Sequence, residues 1–230
     1  MVFADDLDYD ISEIYSEVGK RYGYETVTAE FAEFDELKLK WVRHGGWARF
    51  FVSDYLGGAP KAVAESIAET LMRKIFSAEG SDYSAEVCDW LTSDDFVDRN
   101  QKIYISRKDG MAPPDEGKHK DLRASYARLV SSGYLSEDGR VFLGWDHGYG
   151  EPGPGRSSVL MKVVGVSPKL DSDEISDEAL DYAVYSLMLH VFVGFVPCKR
   201  RENREFEEKM SQYPRRDELS EELARIGVSV

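Results

Sequence analysis

Residues 176–191 read SDEALDYAVYSLMLHV, and the reading of this stretch decides the fold. Ser176 suits the N-cap of a helix, because its hydroxyl can accept an N–H that the first turn leaves without a partner. Asp177 and Glu178 follow it, where the helix dipole favours negative charge. Leu180, Val184, Leu187, Met188 and Val191 then recur at spacings of three and four, which predicts a helix with an apolar stripe. Ser186 and His190 stand four residues apart and so share one side of that helix.

Downstream, a second helix is predicted near Arg201, carrying Phe206 and Met210, and a last one over Asp217–Ile226 after Tyr213-Pro214. Upstream, Ser158–Val166 is a Val- and Leu-rich strand, preceded by the glycine-rich connection Gly148–Arg156. Tyr134-Leu135 and Val141–Trp145, separated by Glu137-Asp138-Gly139, predict a hairpin. A helix is expected from Lys120 to Ser131, behind the loop Lys108–Lys120, which is the natural subdomain boundary. Further upstream, Ile103-Tyr104-Ile105 reads as a brief strand and residues 82–100 hold a short helix. Val63, Ile67, Leu71 and Ile75 mark an amphipathic helix opened by Pro60 and closed before the turn Ala78–Ser81. Leu37–Arg43 and Trp47–Asp54, split by Gly45-Gly46, predict another hairpin, and Ile11 to Tyr22 an initial helix. The order is an α+β one, without the regular βαβ alternation of a parallel sheet.

Composition narrows the classes. A chain of 230 residues, 42% hydrophobic, can bury a sizeable core. Its 43 acidic and 29 basic residues leave a net charge of −14, which disfavours broad binding to a phosphate backbone and makes nucleic acid an unlikely partner. Two cysteines, Cys88 and Cys198, are too few for a disulfide framework. The acidic start MVFADDLDYD is not a secretory signal, and the longest apolar run, Val191–Pro197, is far short of a membrane span. A cytoplasmic protein without a membrane segment is expected.

Val141-Phe142-Leu143-Gly144-Trp145, Met161–Leu170, the helix Ser176–Val191, Glu202-Asn203-Arg204-Glu205-Phe206 and Met210-Ser211-Gln212-Tyr213-Pro214 follow one another in a telling order. In that order the segment from Tyr134 onward resembles the SprT-like and minigluzincin branch of the zincin metallopeptidases. Phe51-Val52-Ser53-Asp54-Tyr55-Leu56 followed by Ala59-Pro60 is similar to archaeal-type members. The resemblance implies a single zincin-like domain over 1–230, with 1–107 as an N-terminal extension and 120–230 as the core. The core would be a small mixed sheet packed against a helix bearing HExxH, with a third ligand shortly after it in His-x-x-x-Phe.

The chemistry of HExxH needs two histidines at i and i+4 to grip one zinc ion and a glutamate between them as general base. The resemblance sets Ser186 at the first histidine position, Leu187 at the glutamate, His190 at the second histidine and Glu202 at the third ligand. Serine stays protonated at neutral pH and ligates zinc poorly, while leucine moves no protons. Loss of a positioned base alone costs about 10²–10⁴-fold in rate. Ser186 and Leu187 are therefore vestigial positions. The implied function is that of an inactive, metallopeptidase-like protein acting by binding a protein or peptide partner. The alternative is a zinc-dependent peptidase with a non-standard site of His190 and Glu202, joined by His147 or Asp146 from the glycine-rich loop.

Two further groups have plainer readings. Lys199-Arg200-Arg201 with Arg204, near Arg215-Arg216, is interleaved with Glu202, Glu205, Glu207 and Glu208 and reads as a salt-bridged helix surface. Trp41, Trp47, Phe50, Phe51 and Tyr55 lie on or beside predicted strands and read as core. No phosphate-binding glycine loop, nucleophile elbow or CxxC pair is present.

Overall fold

A computed structural model describes residues 8–76, 82–112, 117–194 and 199–230, with side chains throughout except those of Phe76 and residues 199–203. Among these residues are eight α-helices and two mixed three-stranded sheets, so the α+β expectation holds. The chain divides into two compact units, Met1–Phe96 and Val97–Val230. No helix among the described residues is long and apolar enough to cross a membrane.

The first unit begins with α1 (Ile11–Arg21), capped by the Asp10 carboxylate on the Ser12 N–H at 2.7 Å. Ile14, Tyr15 and Val18 face the core. The strands β1 (Thr26–Ala32), β2 (Leu39–His44) and β3 (Trp47–Ser53) lie in the order β1-β3-β2. β3 runs parallel to β1 and antiparallel to β2. β2 and β3 are the expected hairpin, turned through Gly45 at φ +55°. β1 has no counterpart in the sequence expectations. Val27, Ala29 and Phe31 do alternate with Thr28 and Glu30, but a small alanine weakens the apolar period. Register sets Val27 beside Ala48 and Ala29 beside Phe50, and all four are buried. α1 approaches β1 so closely that a β-carbon at Gly19 would collide with Val27. The expected helix from Pro60 is α2 (Lys61–Phe76), burying Val63, Ala64, Ile67, Ala68, Leu71 and Met72. The turn Ala78–Ser81 lies outside the described residues. In place of one short helix over 82–100 there are two, α3 (Ala85–Leu91) and α4 (Asp94–Ser106).

Three expectations fail in the second unit, each for a local reason. Ile103-Tyr104-Ile105 is not a strand but the last turns of α4, because Val97, Asn100 and Tyr104 bury one face at helical spacing. The loop Lys108–Lys120 is a loop wherever it is described, and α5 (Leu122–Ser131) follows under an Asp121 cap. Among the described residues Tyr134-Leu135 pairs with no strand. Gly133, at φ +76°, donates its N–H to Val130 O while Tyr134 N–H reaches Leu129 O, a Schellman ending of α5. β4 (Phe142–Trp145) instead runs parallel to β6 (Val163–Val166), with β5 (Gly155–Ser158) antiparallel on the other side. The single strand expected over Ser158–Val166 is thus split by a turn that carries Lys162 at φ +49°. The remaining helices are α6 (Asp177–Val193), α7 (Lys199–Ser211) and α8 (Arg216–Arg225), and α5, α7, α8, β5 and β6 all pack on α6.

Asp171 ties the loop before α5 to the segment before α6. Its carboxylate accepts the N–H groups of Lys118, His119 and Lys120 at 2.7, 2.8 and 2.9 Å. Burial by itself raises this pKa, but the three donors prevail and hold it below the ordinary carboxylate value. The stabilisation is therefore complete above the unfolded value, about pH 3.9, and fades as pH falls through the lower folded value. Asp171→Asn should lose about 1–3 kcal/mol at neutral pH in urea unfolding. The gap to the unsubstituted chain should close on acidification below about pH 4. A gap independent of pH would show that the charge is not what holds the loop.

Candidate functional site

Local chemistry places α6 as expected at its start. The Ser176 hydroxyl accepts the Ala179 N–H at 3.1 Å, and Asp177 and Glu178 occupy the first turn. Beyond that the helix is more buried than a stripe requires. Ala179 through Leu189 are all buried, and so is Val191, so every side of the middle turns is covered.

That burial decides what Ser186 and Leu187 face. Ser186 is 5% exposed and donates its hydroxyl to Ala183 O at 2.7 Å, closing the group on its own helix. Leu187, also 5% exposed, belongs to the main apolar cluster, and a β-carbon added at Gly155 in β5 would come within 3.0 Å of it. His190 is half-buried in the last turn. Its ring stacks on Phe206 of α7, with centroids 4.2 Å apart and planes 15° from parallel. Glu202 lies one helical turn before Phe206 in the backbone of α7, and its side chain falls outside the described residues. So do the side chains of Lys199, Arg200 and Arg201 and the whole of Cys198.

The loop candidates separate. Asp146, directly after β4, has no exposed surface. Its Oδ1 accepts Gly148 N–H at 3.1 Å, and its Oδ2 lies 2.5 Å from Arg156 Nε as an ion pair without hydrogen-bond alignment. The Arg156 guanidinium also sits over the Tyr149 ring, 5.5 Å from its centroid. His147, by contrast, is exposed. Among the described residues no group of three or more His, Cys, Asp or Glu is arranged to hold a metal ion.

Several residues that sequence reading passed over surround α6. Arg128 of α5 grips Asp181 with two bonds of 2.7 Å, from Nε and Nη2, a fork that a carboxylate matches well. Tyr213 packs against Tyr134, Tyr182 and Tyr185 with tilted rings, centroids 4.9, 5.1 and 4.9 Å away. Burial first, and then nearby Asp181, push the Tyr213 phenol well above its ordinary range, so it stays protonated. Tyr185 is raised as well, by burial and then by Tyr134, and donates to Lys209 O at 3.3 Å. Beside the end of α6 is a groove of about 370 Å³, bordered by Tyr134, Leu135, Leu189, Phe192, Glu205 and Lys209. No periodicity announces these contacts, because each joins elements far apart in the chain.

Comparison of the chain with models of known protein families, with curated proteins and with solved structures finds no match.

The burial of positions 186 and 187 has a measurable consequence. Leu187→Glu should cost about 3 kcal/mol or more in urea unfolding, since it sets an unpaired carboxylate in the core. Ser186→Ala, which removes only an intrahelical bond, should stay within about 1 kcal/mol. A Leu187→Glu chain as stable as the parent would mean that this position faces a cleft.

Proposed function

We propose that this chain is a non-catalytic binding protein built on a zincin-like scaffold, acting in the cytoplasm on a protein or peptide partner. The single observation that carries the reading is the state of Ser186 and Leu187. A catalytic zinc site must turn its first ligand and its general base toward an open coordination position. Ser186 instead spends its hydroxyl on Ala183 O, and Leu187 packs in the core. The scaffold half of the proposal is supported by element order alone: α5, a mixed sheet, α6, then α7 and Tyr213-Pro214. The binding half is supported by the groove at the end of α6, where apolar Tyr134, Leu135, Leu189 and Phe192 meet charged Glu205 and Lys209.

The alternative zinc peptidase would draw on His190 and Glu202 with Asp146 or His147. Asp146 is engaged by Arg156, and the His190 ring is stacked on Phe206. Elemental analysis of protein purified without an affinity tag tests the two. We expect no stoichiometric zinc, and no cleavage of an unfolded protein substrate after zinc is added. Zinc bound one per chain, lost in both His190→Ala and Glu202→Ala, together with such cleavage, overturns the non-catalytic reading.

A further inference from the structure

The first unit contradicts one sequence expectation outright. Phe50 and Tyr55 are core, but Trp41 is 44% exposed and Trp47 43%, and Val42 between them is 55% exposed. The reason is the position of β2. Among the described residues it is the edge strand of its sheet, hydrogen-bonded to β3 on one side only, and five of its six residues are exposed. Trp41 lies opposite Phe50 and so points to the helix-covered face, yet it remains open because α1 packs on β1 at the opposite edge. Val42 and Trp47 stand with Lys40, His44 and Arg49 on the other face.

The charge of this edge opposes that of the whole chain. From Leu37 to Ser53 there are Lys38, Lys40, Arg43, Arg49 and His44, and no aspartate or glutamate, in a protein of net charge −14. At the hairpin end, Arg43 and His44 join Tyr22 and Tyr24 around a cleft of about 410 Å³. Lysine on an edge strand also deters edge-to-edge aggregation. A purely protective edge, however, does not display tryptophan and valine between its charges.

We propose that β2 is a docking edge for an extended acidic segment of a partner protein, which adds as a fourth strand to the sheet β1-β3-β2. The free edge of β2 supplies the main-chain donors and acceptors, as in strand addition generally. Trp41 and Val42 cover the partner's apolar side chains, one on each face, and Lys40 and Arg43 pair with its carboxylates. A second copy of this chain fits less well. Antiparallel pairing of two β2 strands about their centre sets Lys40 of one copy opposite Arg43 of the other, a like-charge pair. Single-stranded nucleic acid would find stacking surface on Trp47, but Arg49 is already paired with Glu30 at 2.8 Å. The inference concerns the first unit and does not depend on the reading of α6.

The test uses the full chain and a synthetic Glu-Val peptide of repeating Glu-Val-Val-Glu, which sets valine and glutamate on both faces of an added strand, followed by tryptophan fluorescence and calorimetry. Binding is expected, weakening as salt is added, and absent for a Lys-Val peptide or for the Glu-Val peptide N-methylated at alternate residues. Lys40→Glu with Arg43→Glu, both exposed, should weaken binding about tenfold while leaving the circular dichroism unchanged. Should that variant misfold, the charge-swapped and N-methylated peptides on the unsubstituted chain still decide the matter. The proposal is overturned by no binding of the Glu-Val peptide, or by binding indifferent to N-methylation. Preference for oligothymidylate overturns it as well, and so does a dimer abolished by Trp41→Ser with Val42→Ser.

Discussion

A helix covered on every side sets the terms for the second unit. α6 spans seventeen residues, about 26 Å at 1.5 Å per residue, and its own backbone bonds satisfy the main chain along its middle. What remains are polar side chains that burial would leave unsatisfied, at about 1–3 kcal/mol each. Each of these groups has an answer nearby. Asp181 is forked by Arg128, Ser186 turns back to Ala183 O, Tyr182 meets Ser220, and Tyr185 reaches the Lys209 carbonyl. α5, α7 and α8 are positioned by these contacts as well as by apolar packing. The same burial removes Ser186 and Leu187 from any surface where a metal or a substrate could meet them.

The two sheets show how the same strand order can serve different ends. In each, the third strand of its unit is central, parallel to the first and antiparallel to the second. In the second unit β6 is buried at all four positions, since α6 covers one face and β4 and β5 flank it. In the first unit a helix layer lies against β1, and β2 is left as an uncovered edge. Burial hides polar chemistry in one sheet, and exposure offers main-chain and basic groups in the other.

Electrostatics follows the same division. The chain as a whole is acidic, yet buried Asp146 and Asp181 each meet an arginine, Arg156 and Arg128, and half-buried Asp138 meets Lys162 at 2.9 Å. Burial raises the Asp138 pKa, but Lys162 and the Arg140 N–H outweigh it and hold the carboxyl low. Asp146 is the sharpest case. Residue type and a glycine-rich loop suggest a ligand, but complete burial beside an arginine gives it a partner already. A buried carboxylate left without its cation would cost several kcal/mol, so a structural ion pair explains its position.

From the sequence alone came the α+β class, the helices α1, α2, α5 and α6, the β2–β3 hairpin and the Ser176 cap. These are settled by signals within a few residues: apolar spacing, a cap, or a glycine turn. The same signals misled where a neighbouring turn or a contact distant in the chain decides. Ile103-Tyr104-Ile105 has the β-branched look of a strand, but packing across α4 makes it helix. Tyr134-Leu135 resembles half of a hairpin, but the positive φ of Gly133 uses it to close α5. Trp41 and Trp47 read as core because strands bury aromatics on average, and which strand stands at an edge is not written in any one strand. His190 was legible as a histidine on α6, while its stacking on Phe206 and the burial of Ser186 and Leu187 required the helices that wrap α6. Periodicity is local, whereas burial is a property of what the rest of the chain brings to a residue, and only the tertiary structure decided that.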